Sequence, residues 1–249
     1  MLSKRKSKYF KSLQLKKFRQ TEGLFLVEGE KVVLEVIASN FTIHTLLCTD
    51  LFYEKYAKTI DEAEIEDCIL VKSTDLIGIG TYKSNDTAIA IVYMPETTFQ
   101  PAPTEGVTLV LEDINNPGNL GTILRIADWY GISQILCSHS STDLYAPKVI
   151  QSSMGSFTRV NVYYVDLEEW LSQSKWPVFG AVLSGKSVYN TNLPENAILV
   201  MGSESHGISK ELLAHIEHKI AIPRVGGAES LNVSVATAVL LDRFASANH

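Results

Sequence analysis

The run Gly180–Ser187, GAVLSGKS, matches the phosphate-binding pattern G-x-x-x-x-G-K-[ST] letter for letter. Such a loop works when a strand ends in glycines whose N–H groups wrap phosphate and a helix starts at once. Here Ser187 is followed by VYNTNLP, whose asparagines, threonine and proline oppose a helix start. Ala181, Val182 and Leu183 read as strand interior. The spacing predicts a strand followed by a turn. A nucleoside triphosphatase therefore fails on context, although V-T-L-V-L-E-D (107–113) would serve as its second motif.

Three other segments concentrate polar residues at the ends of apolar runs. L-E-D-I-N-N-P-G-N-L-G-T-I-L-R (111–125) places Asn119 where a helix N-cap is expected. Arg125 follows within the helix, on the side of Gly121 and Thr122. L-V-M-G-S-E-S-H-G-I-S (199–209) sets Glu204 between Gly202 and Gly207. I-P-R-V-G-G-A-E-S-L-N (222–232) brings Ser230 and Asn232 to the start of a Ser/Ala/Val-rich helix. Ligands of open α/β sheets bind at the carboxyl ends of strands, where these loops fall. Taken singly, each is equally a cap, a turn or a surface charge.

The elements that must hold these loops follow from apolar periodicity. Before residue 95, strands are expected at Leu24–Val27, Ile43–Cys48, Cys68–Val71 and Ala88–Tyr93, with a helix over Glu30–Ala38. P-E-T-T-F-Q-P-A-P-T-E-G (95–106) reads as a linker. Beyond it, strands are expected at Val107–Leu111, Ile132–Cys137, Val178–Leu183, Ala197–Met201 and Lys219–Ile222. Helices are expected over Asn119–Tyr130 and Asn232–Phe244. The alternation implies an α/β fold with a mostly parallel sheet covered on both faces. The organisation is then a small α/β domain (1–95), a linker (95–106) and a larger parallel-sheet domain (106–249).

Composition narrows the function classes. The chain has 249 residues, 45% of them apolar, enough for buried cores. No apolar run approaches the ~20 residues of a membrane helix, so no membrane partner is expected. Cys48, Cys68 and Cys137 are too few and scattered for a disulfide framework or a zinc site. No metal is expected, and a reducing, cytoplasmic setting fits. The net charge of −6 hides an asymmetry, because the first twenty residues hold eight bases and no acid. A basic arm that includes Lys16, Lys17 and Arg19 on an acidic body suggests a polyanion partner. A solvated tail explains it as well.

In combination and in this order, the three polar segments resemble those of the SpoU/TrmH family of RNA ribose 2′-O-methyltransferases, within the SPOUT superfamily. N-P-G-N-L-G-T-I-L-R is similar to its first motif. The segments around Glu204 and Asn232 are similar to its second and third, and P-K-V-I-Q-S-S-M-G-S-F-T-R-V (147–160) to a further family segment. F-L-V-E-G-E-K-V-V-L-E (25–35), after K-K-F-R (16–19), resembles the L30e-like RNA-binding domain that many members carry. Two departures stand out: Arg224 occupies a position that is more often methionine, and 83–91 lacks a glycine often found near Ala88.

The resemblance implies a SPOUT fold with a deep trefoil knot, S-adenosylmethionine as methyl donor, and a homodimer. It implies a catalytic group of Arg125, Asn119, Glu204, Ser230 and Asn232. The cofactor would be held largely by backbone groups around Met201, Gly202, Ile222, Gly227 and Leu231. RNA would be met by Lys16, Lys17 and Arg19. The separate RNA-binding domain favours ribosomal RNA as substrate. A transfer RNA target and an inactive RNA-binding relative remain as alternatives.

Overall fold

A computed structural model describes residues 2–95 and 105–247. The linker expected at 95–106 falls almost wholly outside the described residues. The first half runs α1 (Lys4–Ser12), α2 (Lys16–Glu22), β1 (Leu24–Glu28), α3 (Glu30–Ile37), β2 (Ile43–Cys48), α4 (Asp50–Asp61), β3 (Ile65–Leu70), α5 (Ser73–Ile79) and β4 (Ala88–Tyr93). The second half runs β5 (Val107–Leu111), α6 (Pro117–Trp129), β6 (Gln134–Cys137), α7 (Pro147–Ser153), β7 (Asn161–Tyr164), α8 (Leu167–Ser172), β8 (Val178–Ser187), β9 (Ala197–Met201), α9 (Lys210–Leu213), β10 (His218–Ala221) and α10 (Val233–Ala247).

The chain forms two compact units, and their boundary differs from the one read in the sequence. The first unit combines residues 2–95 with Asp143–Thr158. The second comprises residues 105–142 and 159–247. Asp143–Thr158 joins the first unit because its aromatic side chains complete that unit's core. Phe25 packs against Tyr145 with ring centroids 4.5 Å apart and against Phe157 at 5.9 Å. Phe41 closes the cluster against Phe157 at 5.7 Å. These contacts join residues more than a hundred positions apart, which no local pattern encodes.

The first unit is a four-stranded sheet in the order β1-β4-β2-β3, mixed in direction. The basic N-terminus is neither a loose arm nor a tail, since it folds as α1 and α2. The Ser3 hydroxyl caps α1 by accepting from Lys6 N at 3.2 Å. Phe10 and Leu13 drive this helix onto the sheet, where they join Leu24, Leu26, Leu47 and Ile91 in the core.

The second unit is a six-stranded sheet in the order β10-β8-β9-β5-β6-β7, every pair parallel. Its central strands, VTLVL and AILVM, are almost wholly buried, as a sheet covered on both faces requires. The strand order turns at β5: the chain builds β6 and β7 on one side, then crosses to place β9 against the other. By the rule for open α/β sheets, that switch puts the expected ligand crevice beyond the carboxyl ends of β5 and β9. The phosphate-loop look-alike lies within β8, and a single 3-10 turn over Val188–Asn190 follows it. Its glycines have packing roles. A Cβ on Gly180 would lie 2.4 Å from Ile216 Cδ1, and one on Gly185 would lie 2.5 Å from the Ile220 carbonyl carbon. β8 runs past the expected Leu183 because its exposed second half pairs with β10.

Candidate active site

The crevice is shaped by three loops. The first follows β5. Glu112, 9% exposed, accepts from Ser209 N at 2.8 Å and so ties this loop to the start of α9. Asp113 adopts φ +53, a left-handed conformation uncommon outside glycine. Its N–H donates to Ser138 Oγ at 2.9 Å, and the Ser140 hydroxyl donates to its carboxylate. Ile114 N donates to Ser141 Oγ at 3.1 Å. A serine cluster beyond β6 thus holds the turn into α6.

The cap of α6 is Asn116, whose side chain accepts from Gly118 N at 2.8 Å, with Pro117 opening the helix. Asn119, expected at the cap, sits in the first turn instead. Proline favours the first helical position because its missing N–H has no partner there, which moves the cap to the residue before it. Asn119 is thereby only 9% exposed and points at the other two loops.

The second loop follows β9. Ser203 and Gly207 exchange backbone hydrogen bonds of 3.0 and 2.9 Å, forming a tight turn with Glu204 near its tip. Gly202 permits it: a Cβ there would lie 2.2 Å from the Gly207 carbonyl carbon. The third loop joins β10 to α10. Asn232 caps α10, its Oδ1 accepting from Ser234 N at 3.0 Å.

The three loops meet at one cluster. Asn119 Nδ2 donates to Glu204 Oε1. Asn232 Nδ2 donates to Asn119 Oδ1 at 3.1 Å and to Glu204 Oε1 at 3.3 Å. A carboxylate gathering two amide donors joins all three loops.

Arg125 and Ser230 stand outside this cluster. Arg125 projects from α6 into solvent and makes no hydrogen bond or ion pair among the described residues. Glu204, expected to fix its loop or to position Arg125, bonds to the asparagines. Asp128, one turn beyond Arg125, is engaged by Arg159 at 2.8–3.1 Å. Ser230 is exposed in the third loop.

Of the residues expected at the cofactor, Met201 and Gly202 are buried at the end of β9, and Ile222 is half-buried after β10. Gly227 and Leu231 are exposed, Leu231 by 49%. Every residue from 223 to 232 is exposed. Apart from a 3.2 Å bond from the Arg224 guanidinium to the Ala228 carbonyl, residues 223–231 make no hydrogen bond among the described residues. A Cβ on Gly226 or Gly227 would meet nothing within 4 Å, and neither glycine has positive φ. Their bare backbone serves no internal packing and stays open to a ligand, which suits a cofactor held by main-chain groups. Glu112 and the serine cluster are absent from the sequence-based expectation; the acidic pair directly after an apolar strand is the signal that points to them.

The RNA-contact residues divide. Lys16 and Lys17 are exposed on α2, whereas Arg19 is 2% exposed. Arg19 donates to the carbonyls of Leu13 and Gln14 at 3.0 and 2.8 Å and forms an ion pair with Asp143. Its guanidinium is spent within the first unit, so Arg19 is structural and unavailable to RNA. Among the described residues, no group of acidic, histidine or cysteine side chains could hold a metal, and no helix is long and apolar enough to cross a membrane.

Residues 106–242 match the model of the SpoU rRNA Methylase family, and residues 4–90 match that of an MRM3-like substrate binding domain. The chain is 29% identical to the 23S rRNA (guanosine(2553)-2′-O)-methyltransferase RlmP of Bacillus subtilis, over 95% of this chain and 94% of that protein. A solved TrmH-family structure from Porphyromonas gingivalis is 37% identical and superposes with a TM-score of 0.85, covering 98% of each chain. The SpoU methyltransferase AviRb of Streptomyces viridochromogenes, solved in complex with AdoMet, shares the fold with a TM-score of 0.88 at 21% identity, over 99% of this chain and 98% of that one.

Proposed function

This chain belongs to the SpoU rRNA methylase family, and on that premise we propose that it methylates a ribose 2′-hydroxyl of ribosomal RNA with Arg125 as its central catalytic group. The observation that carries the site assignment is the single cluster that Asn119, Glu204 and Asn232 build at the mouth of the β5/β9 crevice.

S-adenosylmethionine supplies an electrophilic methyl group on a sulfonium. The open backbone of residues 222–231, together with Met201 and Gly202 at the end of β9, would hold this donor. Asn119, Glu204 and Asn232 fix the loops so that these main-chain groups keep their places, which matters because alignment is the larger part of such a transfer. The 2′-hydroxyl is poorly acidic and must lose its proton to solvent water as it attacks. A guanidinium with pKa above ~12 is a poor base at neutral pH. Arg125 instead grips the neighbouring phosphate and stabilises the oxyanion that develops on the ribose. With no side-chain partner among the described residues, its whole fork is left for RNA. Ser230, exposed and close in sequence to the Asn232 cap, contacts the ribose.

Lys16 and Lys17 add phosphate contacts on the first unit. The protein works as a homodimer, for which Trp129 on α6 and Val235 on α10, 84% and 50% exposed, offer apolar surface to a second subunit. The chemistry needs no metal. Free Cys48, Cys68 and Cys137 suit a reducing cytoplasm.

The test is a map of ribose methylation in total RNA from cells with and without the protein. Loss of one methylated ribose in ribosomal RNA is expected. An unchanged ribosomal RNA map, or a loss confined to transfer RNA, would refute the substrate assignment.

A further inference from the structure

The reaction proposed above does not use a groove of about 680 Å³ that lies wholly within the first unit. One wall is the loop after α5, and it is locked from below by the V-E-G-E run at the end of β1. The Glu28 carboxylate, 9% exposed, accepts from Thr81 N at 2.7 Å, Thr81 Oγ1 at 2.9 Å and Tyr82 N at 3.2 Å. Asn85 Nδ2 donates to it at 3.4 Å. A Cβ on Gly80 would lie 2.1 Å from Glu28 Oε1. Gly29 has φ +96, and a Cβ there would lie 3.1 Å from the Tyr82 ring. Glu28 and Gly29 therefore shape the Gly80–Tyr82 turn and hold its aromatic ring in place.

The opposite wall is α7, from the segment that joins this unit late in the chain. Gln14, Tyr82, Lys83, Ser84, Lys148 and Gln151 line the space, and none of the lining residues is acidic. Lys83 and Lys148 are exposed. The Glu28 carboxylate is engaged by the loop's own N–H groups and by the Thr81 and Asn85 side chains. Gln14 continues, two and three residues on, into the exposed Lys16 and Lys17.

Two ammonium groups and an aromatic ring make a surface for phosphate and base together. The Gln14 amide donates to the Ile79 and Gly80 carbonyls at 2.5 and 2.9 Å, and Lys148 Nζ donates to Gln151 Oε1 at 3.1 Å, which holds the two walls in shape. A duplex offers phosphates but hides its bases in the stack, whereas unpaired nucleotides offer both. We infer that this groove holds an unpaired stretch of the RNA substrate, with Lys83 and Lys148 on its phosphates and Tyr82 against a base. The inference rests on the reading of the protein as an RNA methyltransferase. It identifies a holding site in the first unit, separate from the ribose that is methylated.

The experiment titrates the full chain with a labelled single-stranded oligouridylate and with an RNA duplex of equal length, at several salt concentrations. Wild-type protein should prefer the single strand. The double variant Lys83→Ala/Lys148→Ala should bind about tenfold more weakly or worse. Its log–log salt slope should become shallower by ~1.4, at roughly 0.7 for each single-strand phosphate left without its lysine. Tyr82→Leu, which keeps the backbone N–H that Glu28 holds, should weaken binding about 5- to 100-fold with the slope unchanged, as removal of stacking does. Lys58→Ala removes an exposed charge from α4 and should change neither quantity.

Preference for the duplex, or a double variant indistinguishable from Lys58→Ala, would overturn the inference. Methyl transfer to ribosomal RNA by the wild-type protein is scored separately. If transfer occurs and the groove variants bind normally, the groove assignment alone falls. If the groove variants lose binding and no transfer occurs, the methyltransferase reading falls and the groove stands.

Discussion

Asn119 Nδ2 donates to Glu204 Oε1 across 85 residues of sequence, and that bond joins the helix that carries Arg125 to the loop that ends β9. Asn119 is nearly buried, so its amide depends on this partner. Glu204→Ala should destabilise the protein by about 1–3 kcal/mol, the cost of an unsatisfied buried donor. Glu204→Gln keeps an accepting oxygen and should retain most of the stability. Chemical denaturation of the two variants checks this, and equal losses would show that the carboxylate charge is what matters.

Gly202 is required by the close approach of the Gly207 backbone. Gly202→Ala should force the Ser203–Gly207 turn outward, cost about 1–3 kcal/mol through overpacking, and weaken S-adenosylmethionine binding. Calorimetric titration measures the affinity directly. An alanine variant with wild-type affinity would remove this turn from the cofactor site.

Arg19 and the lysines before it should separate cleanly. Arg19→Ala leaves Asp143 and two carbonyls without their donor and should cost about 3–5 kcal/mol, as broken buried ion pairs do. Lys16→Ala/Lys17→Ala should leave stability within ~0.5 kcal/mol and make the salt dependence of RNA binding shallower by about one unit for each phosphate no longer neutralised. A stable Arg19→Ala protein with weakened RNA binding would reverse these assignments.

Cutting the chain to residues 105–249 removes most of the first unit but keeps Asp143–Thr158, whose Tyr145 and Phe157 pack on Phe25. The truncated protein should expose this aromatic surface and aggregate. Replacing Tyr145 and Phe157 with serine in the truncated chain should restore solubility. Light scattering reads both outcomes.

The parts of this fold that are legible in the sequence are those whose partners lie close along the chain. Val107–Leu111 and Ala197–Met201 are continuous apolar runs and appear as strands with those bounds. β3 carries little burial signal, since most of its residues are exposed, and it starts three residues before the expected Cys68. The Arg19–Asp143 pair spans 124 positions, so a buried arginine looks like one more basic residue in a charged run. At the candidate site, the residue types are legible but their partners are not. The expectation has Glu204 fix its own loop or position Arg125; its carboxylate bonds to two asparagines, one from the first turn of α6 and one from the cap of α10, and so ties its loop to both helices.

Arg125→Ala tests the central claim most directly. Among the described residues the Arg125 side chain has no hydrogen-bonding or ionic partner, so the variant should stay folded and bind S-adenosylmethionine normally. Single-turnover methyl transfer to ribosomal RNA should fall by about 10²–10³, the usual worth of a donor aimed at developing oxyanion charge. Arg125→Lys should recover little of that rate, because a point ammonium lacks the planar fork that reaches phosphate and oxyanion together. Wild-type single-turnover rates in Arg125→Ala would contradict the account and move the catalytic centre off α6.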